Sequence, residues 1–98
     1  MNLFCFGLNH RTAPIEARER FLGHARTEAL LRDRGCHEVL LLTTCNRVEI
    51  YAAADRSILS EDLVHSLRVD GGSSSKEDLA AFYRMDNADC ARHLFRVA

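Results

Sequence analysis

Residues 39–52 leave little choice of local fold. Residues 39–42 are an unbroken apolar run, the composition of a buried strand. Residues 43–46 are short and polar, as a turn requires. From Arg47 to Ala52 the pattern alternates, with Val48, Ile50 and Ala52 on one face. Two strands this close in sequence pair as a hairpin. The turn carries one cysteine, Cys45, and Arg47 follows two residues later. A thiol there is held by two strands and stays open to a substrate.

The rest of the chain supplies partners for that hairpin. Residues 3–8 read as a buried strand ending at Asn9-His10. Pro14 suits the first turn of a helix, and helical patterning runs to about Leu22, pauses at Gly23 and resumes through Arg34. Gly35 is the expected left-handed residue that stops it. Leu59, Leu63 and Leu67 recur every four residues and predict an amphipathic helix. Residues 70–75 predict a loop, and residues 80–85 a short strand. Asp86 and Asp89 read as a loose capping box for a final helix. Ala91, Leu94, Phe95 and Ala98 are its expected buried face. The order strand, helix, strand, strand, helix, strand, helix predicts an α+β fold. Its core is ferredoxin-like, an antiparallel sheet with helices packed on one face.

Composition narrows the function. The 98 residues suffice for one compact domain. A net charge of −1 gives no global attraction to nucleic acid or to an anionic membrane. No apolar run is long enough to span a bilayer, and the first residues read as a strand, not a signal peptide. The expected setting is the cytoplasm, where Cys5, Cys36, Cys45 and Cys90 stay thiols. No Cys/His group has zinc spacing, so no metal is expected. Gly71-Gly72 lies in a serine-rich stretch and is no phosphate loop.

Cys45 is the leading candidate nucleophile. A lone cysteine is usually a small buried hydrophobe, but Thr43, Thr44 and Asn46 give this one polar surroundings. Cys5, Cys36 and Cys90 sit in or beside apolar patterns and read as packing residues. Arg47 is either a solvated strand residue or a bidentate clamp on a carboxylate. Thr44 and Asn46 either satisfy the turn backbone or donate to a carbonyl. His93 falls on the polar edge of the last helix, near Asp89 and Arg96, where an imidazole can act as acid or base. His10 ends the first strand and can line the same site.

Three segments together resemble glutamyl-tRNA reductase. They are Gly7-Leu8-Asn9-His10-Arg11-Thr12-Ala13-Pro14, Thr43-Thr44-Cys45-Asn46-Arg47-Val48-Glu49-Ile50-Tyr51 and Ala91-Arg92-His93-Leu94-Phe95-Arg96-Val97-Ala98. The departure is Thr43, where the family more often has serine. The resemblance covers essentially the whole chain and only the first part of the enzyme. It implies that residues 1–98 are a truncated N-terminal catalytic domain, with NADPH-binding and dimerisation domains downstream. It also implies the reaction: Cys45 attacks the ester of glutamyl-tRNA, and NADPH, held elsewhere, reduces the thioester to glutamate-1-semialdehyde for tetrapyrrole synthesis. By similarity Thr44, Cys45, Asn46 and Arg47 bind substrate and His93 assists catalysis. The resemblance further implies a homodimer, and admits as a partner the semialdehyde aminotransferase that acts next. The competing readings are a ferredoxin-like module that binds a small regulatory molecule, and a hydrolytic or redox thiol enzyme.

Overall fold

Alternation along the first strand decides the layering. In β1 (Asn2–Asn9), Phe4, Phe6 and Leu8 point to one side of the sheet, and Leu3 and Cys5 to the other. The computed structural model describes residues 1–12, 24–67 and 80–97. Its further elements are α1 (His24–Asp33), β2 (Cys36–Thr43), β3 (Arg47–Ala54), α2 (Ser60–Leu67), β4 (Tyr83–Asp86) and α3 (Asn87–Val97).

The four strands form one antiparallel sheet in the order β2-β3-β1-β4. That order puts the first and third strands in the centre, the arrangement of a split βαβ core. The hairpin β2–β3 is longer than the pattern suggests, running in from Cys36 and out to Ala54, with an irregularity between Cys36 and Glu38.

One face of the sheet is apolar. Phe4, Phe6, Leu8, Ile50, Ala52 and Ala54 pack there against Leu31 of α1 and Leu63 and Val64 of α2. Burying these side chains is the main driving force of the fold, at about 1.5–3 kcal/mol for each large one. The expectation of helices on one face holds for α1 and α2. The last helix, α3, lies across the opposite face, where Cys90, Leu94 and Val97 meet Leu3, Cys5 and Tyr51.

Local signals mostly fall where the sequence puts them. Gly35 has φ +99°, a left-handed turn, and its amide donates to the carbonyl of Arg32 at 3.1 Å, closing α1. The helix expected from Pro14 to Leu22, the loop at 70–75, and the roles of Leu67 and Ala98 lie outside the described residues or side chains.

Four expectations need correction. Leu59 precedes α2 and is 66% exposed, so Val64 joins Leu63 in the core instead. The fourth strand covers residues 83–86, not 80–85, because its register is fixed by pairing with residues 4–7 of β1. Asp86 does not cap α3: it ends β4 and binds the Arg84 guanidinium at 3.1 Å. The chain turns into α3 at Asn87, with φ +51°, and the Asn87 side chain accepts a hydrogen bond from the amide of Leu3. Phe95 is 86% exposed, and buried Cys90 with half-buried Leu94 and Val97 forms the stripe of α3 that faces the sheet.

Candidate active site

The hairpin turn is built by Thr44. Its hydroxyl oxygen accepts hydrogen bonds from the amides of Asn46 and Arg47, each at 3.2 Å, and its own amide donates to the Arg47 carbonyl at 2.9 Å. With its oxygen used by the backbone, the hydroxyl keeps its proton to donate outward. Cys45 sits at the tip and is the exposed cysteine of the four, while Cys5, Cys36 and Cys90 are buried as expected.

The end of β1 closes over this turn. Asn9 accepts the amides of Arg11 and Thr12 on its side-chain oxygen, at 2.9 and 3.0 Å, and donates its own amide to the Thr12 hydroxyl. This Asx-type turn delivers the amide of His10 to the carbonyl of Asn46 at 2.8 Å. Residues 7–12 and the hairpin turn with its following strand therefore meet at one end of the sheet. The His10 contact is made by its backbone.

Pairing in the sheet continues the convergence. Asn9 stands opposite Arg47, and Gly7 opposite Glu49. Arg47, Glu49 and Tyr51 share the face of β3 that looks toward α3. Gly7 is required there: a Cβ would lie 2.5 Å from the Val48 carbonyl oxygen and 2.9 Å from Glu49 Cγ.

Glu49 is fully buried and is the hub of the site. Its Oε1 accepts from the Tyr51 hydroxyl at 2.9 Å and lies 3.7 Å from the Arg47 guanidinium. Its Oε2 accepts from the Tyr83 hydroxyl, lies 2.6 Å from His93 Nε2 and 3.9 Å from Cys5 Sγ. The rings of Tyr51 and Tyr83 lie 6.4 and 6.0 Å from the His93 ring, the first stacked and the second edge-on. His93 thus faces the sheet and is only 15% exposed, not on the polar edge of α3 as its sequence neighbours imply. Asp89 is engaged by Arg92 instead.

Electrostatics follow from this geometry. Burial pushes the Glu49 carboxyl up, but hydrogen bonds from Tyr83, His93 and Tyr51 outweigh it and hold the group below the ordinary carboxylate value. Burial, with Glu49 beside it, pushes the Cys5 thiol up to about 12. Burial and the Glu49 contact push both tyrosines up. Burial also raises Cys36 and Cys90. Glu49 is therefore a carboxylate at neutral pH, and its buried hydroxyl and thiol neighbours stay protonated.

Cys5, Glu49 and His93 place their donor atoms within 4.8 Å of one another, the group among the described residues nearest to a metal-binding set. Both Glu49 oxygens already accept hydrogen bonds, so the cluster is satisfied as it stands. None of the described residues forms a glycine-rich strand-to-helix turn that would cradle a nucleotide pyrophosphate.

Described residues of all three segments thus contribute to one end and one face of the sheet, and comparison with known proteins shows the family. The model of the glutamyl-tRNA(Glu) reductase N-terminal domain matches residues 6–98. The chain belongs to this family. It is 43% identical over 104 residues to a glutamyl-tRNA reductase of Stenotrophomonas maltophilia, covering 100% of the chain and 22% of the relative. It is 35% identical to the glutamyl-tRNA reductase of Paenibacillus macerans, again over the whole chain and 24% of the relative. The solved glutamyl-tRNA reductase of Methanopyrus kandleri matches with a TM-score of 0.69 and 28% identity, over 97% of this chain and 21% of that one. The chain therefore spans under a quarter of the length of these reductases. No helix among the described residues is long and apolar enough to cross a membrane.

Of the residues expected at the site, Arg47 and His93 are brought to one carboxylate, while Thr44, Cys45 and Asn46 form the exposed turn at the same end of the sheet. Sequence reasoning gave no role to Glu49, Tyr51 or Tyr83. The available signal was parity: Arg47, Glu49 and Tyr51 alternate with the apolar Val48, Ile50 and Ala52. Nothing in the spacing announces that Tyr83 and His93 come to the same carboxylate.

Proposed function

We propose that this chain carries the acyl-transfer half of glutamyl-tRNA reduction. The thiolate of Cys45 attacks the ester carbonyl that joins glutamate to its tRNA. The carbon–sulfur bond forms as the ester carbon–oxygen bond breaks, and the tRNA hydroxyl leaves with a proton. Glutamate remains on Cys45 as a thioester. Arg47 binds a substrate carboxylate through its planar fork. Thr44 and Asn46 donate to the substrate, and His93 transfers the proton.

One observation carries this reading: an exposed thiol at the tip of a backbone-braced turn, which leads directly into the strand whose Glu49 carboxylate gathers Arg47 and His93. The family membership supports the substrate class. NADPH supplies the hydride that turns such a thioester into glutamate-1-semialdehyde, the entry to tetrapyrrole synthesis. No glycine-rich strand-to-helix turn lies among the described residues, and no step of that reduction is assigned to them. The same reading carries a homodimer, handover to the semialdehyde aminotransferase and a cytoplasmic setting.

The test is intact-mass analysis after incubation with glutamyl-tRNA. A glutamyl adduct that disappears in Cys45→Ser supports the assignment. Unchanged adduct formation in that variant overturns it.

A further inference from the structure

The buried carboxylate has chemistry beyond holding the sheet together. A stable α+β core has no need for a charged group at full burial, and such a group persists only when its partners fix it. Here the partners come from every element around it: Cys5 from β1, Arg47 and Tyr51 from β3, Tyr83 from β4 and His93 from α3. An ionised carboxylate can only accept hydrogen bonds. Tyr51 and Tyr83 meet it through hydroxyls, which can turn to donate. His93 meets it through Nε2 at 2.6 Å, so that nitrogen must bear a hydrogen.

We propose that Glu49 is a positioning residue that locks His93 in its Nε2–H tautomer and leaves Nδ1 as the nitrogen that exchanges a proton during acyl transfer. A free neutral imidazole divides its hydrogen between two nitrogens and turns about two bonds. Pinned by Oε2 and flanked by two tyrosine rings, this one presents one basic atom in one orientation. The Arg47 guanidinium on the other oxygen balances the carboxylate, so the lock leaves no uncompensated charge with a neutral ring. The functional half of this inference rests on the acyl-transfer reading. The tautomer half does not.

Two experiments test it. In the 98-residue chain labelled with 15N-histidine, long-range proton–nitrogen correlation reports which nitrogen of His93 carries hydrogen, and His93→Gln assigns its signals. With the ring neutral, the hydrogen is expected at Nε2. A hydrogen at Nδ1, or an even mixture, overturns the proposal whether or not any variant folds. In Glu49→Gln the Nε2–H population should fall, and unchanged nitrogen signals count against the lock. In an enzyme of the relatives' full length containing this chain, Glu49→Gln should lower kcat about tenfold or more, with KM nearly unchanged. Adding it to His93→Ala should cost less than twofold more, where independent structural effects would multiply. Failure of Cys45 to form an adduct would sink the acyl-transfer reading and leave the tautomer result standing.

Discussion

On one face of the sheet, Phe4, Phe6, Leu8, Ile50 and Ala52 form an apolar layer under two helices, with the Arg84 guanidinium over the Phe4 ring at its border. On the other, the same central strands present Cys5, Glu49 and Tyr51 to α3, joined by Tyr83 from the edge strand. The first face is non-directional: its free energy scales with apolar area, and neighbours of similar volume can replace one another. The second depends on hydrogen-bond geometry around one carboxylate, where removing a single partner strands the others. The period-2 alternation of β1 and β3 makes both at once. One face can therefore hold the fold while the other is committed to chemistry.

The comparison can be broken first by thiol reactivity. The exposed turn and the buried faces should differ by about a thousandfold or more in alkylation rate. With its thiol pushed up to about 12, only about one Cys5 in ten thousand is a thiolate at pH 8. Cys36 and Cys90 are also buried with raised values. Mass mapping after brief iodoacetamide treatment of the native chain should find the label on Cys45. Comparable labelling of all four cysteines would remove the distinction between turn and sheet.

On the apolar face, Phe6→Ala should destabilise the chain by about 3–5 kcal/mol. Phe6 is 1% exposed and stacks on Phe82 with centroids 4.5 Å apart. Because no charged group is lost there, the change in urea midpoint should be the same at pH 4 and pH 7. A strong pH dependence would mean that the two faces are not energetically separate.

On the polar face, Glu49→Gln should cost about 1–3 kcal/mol at neutral pH, and this cost should depend on pH. The folded carboxyl is held below its ordinary value of 4.5. Its contribution is therefore fully present above the unfolded value and is lost as pH falls through the lower folded value. The gap between native and Glu49→Gln chains should begin to close below about pH 4.5, as the unfolded carboxyl takes up its proton, and finish once the native one does. Urea unfolding of both chains from pH 3 to pH 7 measures it. A gap that stays constant or widens in acid would show that the carboxylate is not stabilised by its neighbours.

These two faces were not equally legible in the sequence. Apolar patterning locates the strand at residues 3–8 as a continuous run and Ile50 and Ala52 by alternation, because burial of apolar groups leaves such signatures. Gly35 and the turn at residues 43–46 were legible for the same local reason, since backbone geometry restricts the residues that fit. Cys45 and Arg47 were visible as chemistry-bearing types in a short polar segment. The Glu49 cluster was not, because its members come from positions 5, 47, 51, 83 and 93 and meet only through sheet register and the docking of α3. His93 shows the difficulty best. Helical spacing offers Asp89 and Arg96 as partners, and tertiary packing gives it Glu49 instead.

The smallest expected effect tests that same docking. Leu94 and Phe95 are adjacent and both apolar, yet Leu94 packs toward Cys5 and Tyr51 while Phe95 is 86% exposed. One step along a helix turns a side chain by about 100°, so the two face different surroundings. Phe95→Ser should change stability by no more than about 0.5 kcal/mol, and Leu94→Ala by about 2 kcal/mol or more. Thermal or urea unfolding of the two variants compares them directly. His93 lies two residues before Phe95, about 200° around the helix. A rotation of α3 that buried Phe95 would therefore swing His93 off the Glu49 carboxylate. If Phe95→Ser proves as costly as Leu94→Ala, the orientation of α3 is wrong and the histidine lock goes with it.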